Sequence, residues 1–154
     1  MNPIHLAGLV KRAYPSFDMN SFDDRLKLQK FVYLIQEAGL NLGYDFKLYL
    51  HGPYSTMLAR DGFDMPPFKE CNILKFENEP SEIIFNELLT SLKDKKDNIR
   101  TMEIMASLHL FHKIYPKKSD EDLIKSVEDK SLKFKNQTNE IKICLEDIKK
   151  NIRW

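Results

Sequence analysis

The sequence predicts an α+β fold that is mainly α, with about six helices around a small antiparallel sheet of two or three strands. Three observations lead there. Apolar residues recur at helical spacing along most of the 154 residues. Phe46–His51 alternates as a strand does, Ile73–Glu77 reads as a second short strand, and Gly or Pro sits at many of the joints. The length suits one domain, and 42% apolar residues suffice for a core. Within it we expect an N-terminal lobe of about residues 1–79 and a C-terminal helical lobe of about residues 80–154.

Pro3 opens a first helix over Ile4–Ala13, because its fixed φ suits the first helical position. Tyr14-Pro15 ends it, since the residue before a proline avoids helical geometry. The next helix organises the chain. Ser21 with Asp24 three residues on resembles a capping box, and Gly39 supplies the stop. Leu28, Phe31, Val32, Leu34, Ile35 and Ala38 form one broad apolar face, while Phe22, Leu26 and Tyr33 form a narrower stripe opposite. Arg25, Gln29, Gln36, Lys30 and Glu37 separate the two. A helix with two apolar faces has neighbours on both sides, so it is expected at the centre.

Asn41–Asp45 reads as a loop, and Phe46–His51 as a strand that Gly52-Pro53 breaks. Ser55 then caps a short helix, Thr56–Asp61, closed by Gly62. Ile73–Glu77 is the expected strand partner of Phe46–His51. From Pro80 the chain returns to helix through Leu92, and again from Thr101 until Pro116. Ser119 and Asp122 repeat the capping pattern before Leu123, Ile124 and Val127. A polar loop, Asn136–Asn139, precedes a last helix with Ile141, Leu145 and Ile148 inward.

A formal charge of +1 gives no global attraction to nucleic acid or to an anionic membrane. The longest apolar run, Phe31–Ile35, is far short of a membrane span, and the N-terminus lacks a signal-peptide core. Cys71 and Cys144 belong to no CxxC pair and read as free thiols of a reducing cytoplasm. No membrane association is expected. The sequence sets no oligomeric state.

No catalytic constellation, metal site or cofactor site is expected. His109 and His112 share a helix face, but no HExxH, cysteine or carboxylate of matching spacing accompanies them. His51-Gly52-Pro53-Tyr54-Ser55 is not a nucleophile elbow. The five glycines are nowhere clustered, so a phosphate-binding loop is absent. Asp23-Asp24 and Asp120-Glu121-Asp122 sit at helix starts, where capping and the helix dipole account for them. Arg25, Lys27 and Lys30, and later Lys117, Lys118, Lys130, Lys133 and Lys135, are interleaved with acids.

The strings RLKLQKFVYLIQ and YDFKLYLHGPYSTML, within Arg25–Leu58, resemble the YwgA-like proteins of bacteria and archaea. There a K-L-Q-K helix is followed by a strand and a Y-G-P-Y-S turn. More loosely, the layout is similar to the SocA-like antitoxin group, or Panacea domain, with its K-L-x-K-L-x-Y helix before a G-P motif. The stretch EIMASLHLFHKIYPKKSDEDLIKSVEDKSLKF is also similar to the YwgA-like C-terminal half. Two departures stand out: Ser131-Leu132 replaces the proline expected after Lys130, and His51 precedes Gly-Pro where an aromatic residue is common.

The resemblance implies a small, non-enzymatic, mainly helical domain. For the antitoxin group it implies neutralisation of a toxin or defence effector by direct binding, or its delivery to proteolysis. The expected partner is a protein encoded beside this chain. Lys27, Lys30, Tyr33, His51, Gly52, Pro53, Tyr54 and Ser55 are the expected partner-binding residues, at the Gly-Pro turn and the exposed edge of the central helix. The alternative is a DNA-binding regulator of winged-helix-like arrangement, with Phe46–His51 and Ile73–Glu77 as the wing. Nucleic acid is the less favoured partner, because the basic clusters are diluted.

Overall fold

The computed structural model describes all 154 residues. It contains seven α-helices and one two-stranded antiparallel sheet, an α+β fold that is mainly α. The helices are α1 (Pro3–Ala13), α2 (Phe22–Glu37), α3 (Thr56–Phe63), α4 (Glu79–Ser91), α5 (Ile99–Ile114), α6 (Asp120–Lys130) and α7 (Thr138–Asn151). Between α2 and α3 lie β1 (Lys47–Tyr49) and β2 (Gly52–Tyr54). One apolar core runs from Leu6 to Ile152. No helix is long and apolar enough to cross a membrane.

The boundaries of α2 follow its local chemistry. Ser21 Oγ accepts from Asp24 N–H, while the Asp24 carboxylate bonds back to Asp18 N–H rather than to Ser21. At the other end Gly39 adopts φ 112°. The Leu40 N–H bonds to the Ile35 carbonyl and the Gly39 N–H to that of Gln36, a Schellman ending, with Leu40 buried as its apolar cover. Every residue from Leu28 to Ile35 is buried, so α2 is enclosed on both faces. It shares the centre with α5, which is buried continuously from Met102 to Phe111 and packs on α2, α6, α7 and β2. Of the second stripe, Tyr33 is buried, Leu26 half-buried and Phe22 exposed.

Ile73–Glu77 is not a strand, and the wing drawn from it does not form. Its backbone partners are helical: Leu74 N–H donates to the Gly8 carbonyl (3.1 Å), and Arg12 Nη1 donates to the Leu74 carbonyl (3.1 Å). A Cβ at Gly8 would stand 2.6 Å from the Asn72 carbonyl oxygen, so this mid-helix glycine exists to let the segment lie on α1. Gly62 has a similar role. Instead of closing α3 it is buried inside it, where a Cβ would meet Leu28 Cδ2 at 2.9 Å.

The strand partner of β1 is the Gly-Pro-Tyr segment that was expected to break it. Lys47 faces Tyr54, Leu48 faces Pro53 and Tyr49 faces Gly52, with Leu50 and His51 in the turn. Both turn residues keep negative φ, and Gly52 takes the left-handed conformation at 86°. Such a glycine after the turn gives two short strands the twist needed to pair. Cys71 and Cys144 are both buried, unpaired thiols, and burial raises the Cys144 thiol to about 12.

Candidate functional site

The hairpin is held from beneath by the polar edge of α2. Gln29 clips the backbone of Ser55 in both directions: Nε2 donates to its carbonyl (3.0 Å) and Oε1 accepts from its N–H (2.8 Å). Lys30, only 1% exposed, donates from Nζ to the Pro53 carbonyl at 2.8 Å. The Gln-Lys pair and the Gly-Pro-Tyr-Ser turn are therefore two sides of one contact. Lys30 supplies a hydrogen bond that the buried Pro53 carbonyl of β2 must find, and Gln29 supplies two for the buried backbone of Ser55 just after the strand.

From the other side Gly52 lies on α5, where a Cβ would come within 2.5 Å of Ser107 Oγ. Gly52→Ala meets both that contact and the left-handed φ. It should cost about 1–3 kcal/mol in chemical denaturation, the range for a residue forced into a sparsely populated conformation. An unchanged denaturation midpoint would contradict this account of the turn.

Charged groups surround this support. Glu103 is 2% exposed and accepts from Lys130 Nζ (2.8 Å) and Lys133 Nζ (2.6 Å), with His51 Nδ1 at 3.8 Å. Burial pushes the Glu103 carboxyl up, but its two lysine partners outweigh that and leave it below the usual carboxylate range. Burial lowers the Lys30 ammonium to about 7, against the attraction of Glu103. It likewise lowers Lys130 and His51. His51 Nδ1 and Ser107 Oγ have no hydrogen-bond partner, so they do not form a nucleophile–base pair. Ser55 Oγ is committed to capping α3 through Leu58 N–H.

The hairpin's outer side is apolar and open to solvent. Leu50 at its tip is 74% exposed, and Leu48, Tyr49, Met57 and Phe22 are also exposed. Tyr49 and Tyr54 lie ring to ring at 5.2 Å, and Phe22 meets His51 edge-on at 5.8 Å. Beside β1 runs a groove of about 480 Å³, walled by Tyr33, Phe46, Leu48, Leu110 and Ile114, with Glu37 and Lys113 also lining it. Behind that wall the His109 ring is fixed. Its Nε2 donates to the Arg153 carbonyl, so Nδ1 accepts from the Tyr33 hydroxyl at 2.9 Å. Neither nitrogen is free to bind a metal, and His112 stacks on Trp154.

The expected partner-binding residues thus divide. Lys30, Tyr33, Gly52, Pro53 and Ser55 are buried support rather than exposed surface, because the hairpin folds back over the edge of α2 that was expected to be open. Lys27 pairs with Asp24 and lines a different depression, beside Tyr14 and Lys96. His51 and Tyr54 are half-buried at the hairpin. Leu48, Tyr49 and Leu50 are the exposed residues that sequence reasoning did not select. Their alternation reads as a strand with Leu48 and Leu50 facing a core, whereas the strand ends at Tyr49, Leu50 falls in the turn and all three are exposed. Compared with protein-family models, with curated proteins and with solved structures, the chain matches none.

Proposed function

We propose that the chain is a non-enzymatic protein-binding module, of the antitoxin or regulatory-adaptor kind, that engages a partner protein through the outer side of its hairpin. The observation that carries this reading is an exposed apolar tip, Leu48-Tyr49-Leu50, on a turn clamped by buried hydrogen bonds. A rigid, exposed aromatic and aliphatic patch loses little entropy on docking, and tyrosine is a common anchor of such interfaces. A partner encoded beside this chain remains the expected one.

The test is a pull-down of the neighbouring gene product with Tyr49→Ser/Leu50→Asp. Loss of two central anchors should weaken binding by about 2 kcal/mol or more. Exposed positions leave stability within about 0.5 kcal/mol. Affinity should change little with added salt, whereas phosphate-dominated binding to DNA falls steeply. Unaltered partner binding by the double variant, or a steep salt dependence with a DNA probe, would overturn the proposal.

A further inference from the structure

Leu48 and Pro53 face one another in the hairpin. Proline has no N–H to donate, and the Pro53 carbonyl is turned away from β1 to Lys30 Nζ. Leu48–Pro53 is therefore the non-hydrogen-bonded pair of the ladder, so the Leu48 N–H and carbonyl point to the open edge of β1. Lys47, Leu48 and Tyr49 are all exposed. Four consecutive residues, Asp45 to Leu48, line the adjoining groove and no residue of β2 does, which places it on β1's unpaired side.

Resting on the reading of the hairpin as the binding surface, the geometry points to the form of the partner: an extended segment of another protein that adds as a strand to the edge of β1 and lays an uncharged, apolar or aromatic side chain in the adjoining groove. The free backbone pair of Leu48 selects an extended chain, since main-chain hydrogen bonds are what an exposed strand edge offers. The groove selects the side chain. Of its charged groups, Glu37 is already met by Lys113 at 2.7 Å, and the Tyr33 hydroxyl is already donated to His109. Asp45 and Lys47, exposed and of opposite charge, also line it and together add no net charge, and the rest of the wall includes the apolar surface of Phe46, Leu48, Leu110 and Ile114. A second copy of this chain fits less well. Its own β1 has three residues with only Leu48 turned outward, and being part of a sheet it cannot run on along the groove.

Two substitutions separate backbone from side chain. Leu48→Ala removes only the side chain, while Leu48→Pro also removes the outward N–H, a change tolerated on an edge strand. The probe is a phage-displayed library of short random peptides selected on the wild-type protein, with melting curves of both variants. Strand addition predicts that selected peptides carry a large apolar residue, slow hydrogen exchange at the Leu48 amide, and bind Leu48→Pro at least tenfold more weakly than Leu48→Ala. Ile114→Trp, which fills the groove from an exposed position, should also weaken them. Equal binding by the Pro and Ala variants overturns the inference. So does sedimentation showing a dimer that Leu48→Pro dissolves. If no peptide is selected while the neighbouring gene product still binds and is lost with Tyr49→Ser/Leu50→Asp, strand addition fails and the hairpin reading stands. If that double variant binds both probes normally, the hairpin reading itself fails.

Discussion

Phe31→Ala lowers stability by about 3–5 kcal/mol, and Ile35→Ala by about 2–5 kcal/mol, the costs of emptying a tight core position. Both side chains are fully enclosed. Phe31 meets Tyr14 edge-on at 5.4 Å and Phe85 at 6.2 Å, so its ring joins α1, α2 and α4. Truncation leaves a cavity between three helices, two of which are fixed elsewhere: α1 by Leu74, and α4 by Glu82 bonding Arg12 and Phe76 N–H. Collapse is therefore limited. For a chain of this length each kcal/mol shifts Tm by ~2–4 °C, so Phe31→Ala should melt roughly 10 °C below wild type. Since the whole fold is worth about 5–15 kcal/mol, the double variant should lose most of its stability. Melting curves that barely move for either single change would contradict the central placement of α2.

What made α2 legible in the sequence is that its signals are local. Ser21, Asp24 and Gly39 act on backbone groups within a few residues, and the apolar run needs no knowledge of its neighbours. The failures have a common physical cause, a contact distant in sequence. Gly62 looks like a helix stop, yet it sits inside α3 because the side chains of Leu28 and Met19 leave no room for a Cβ. Ile73–Glu77 alternates as an edge strand would, because an extended segment laid on a helix also buries every second side chain: Leu74 and Phe76 are half-buried and Ile73, Lys75 and Glu77 exposed. On a helical wheel Gln29 and Lys30 belong to two polar edges that flank the stripe of Phe22, Leu26 and Tyr33. Nothing in periodicity says that these edges will be covered by a hairpin whose backbone groups need partners. The same blindness put five buried residues on the expected partner surface and left out Leu48, Tyr49 and Leu50.

The buried lysine is also where pH should show itself. An unfolded Lys30 titrates near 10.5, whereas burial lowers the folded group to about 7. Between those values the unfolded chain binds more protons than the native one, so stability contributed by this group rises with pH. The penalty for burying the ammonium is fully present below about pH 7 and is relieved progressively up to the unfolded pKa. Measured as urea unfolding of wild type minus Lys30→Met, the difference should move in favour of wild type by a few kcal/mol from pH 7 to 10, since each pKa unit is worth about 1.36 kcal/mol. Met keeps the length of the side chain but cannot donate to Pro53, which costs that variant about 1–3 kcal/mol at every pH. The offset is constant, and the slope is what identifies the titrating lysine. Tyr14 and Tyr33, whose hydroxyls are also raised by burial, act in the opposite sense only above about pH 10, and they cancel in the difference. Parallel curves for the two proteins would mean that Lys30 stays charged in the folded state. The hydrogen bond to the Pro53 carbonyl would then be a fully ionic one, and the hairpin clamp would hold unchanged through neutral pH.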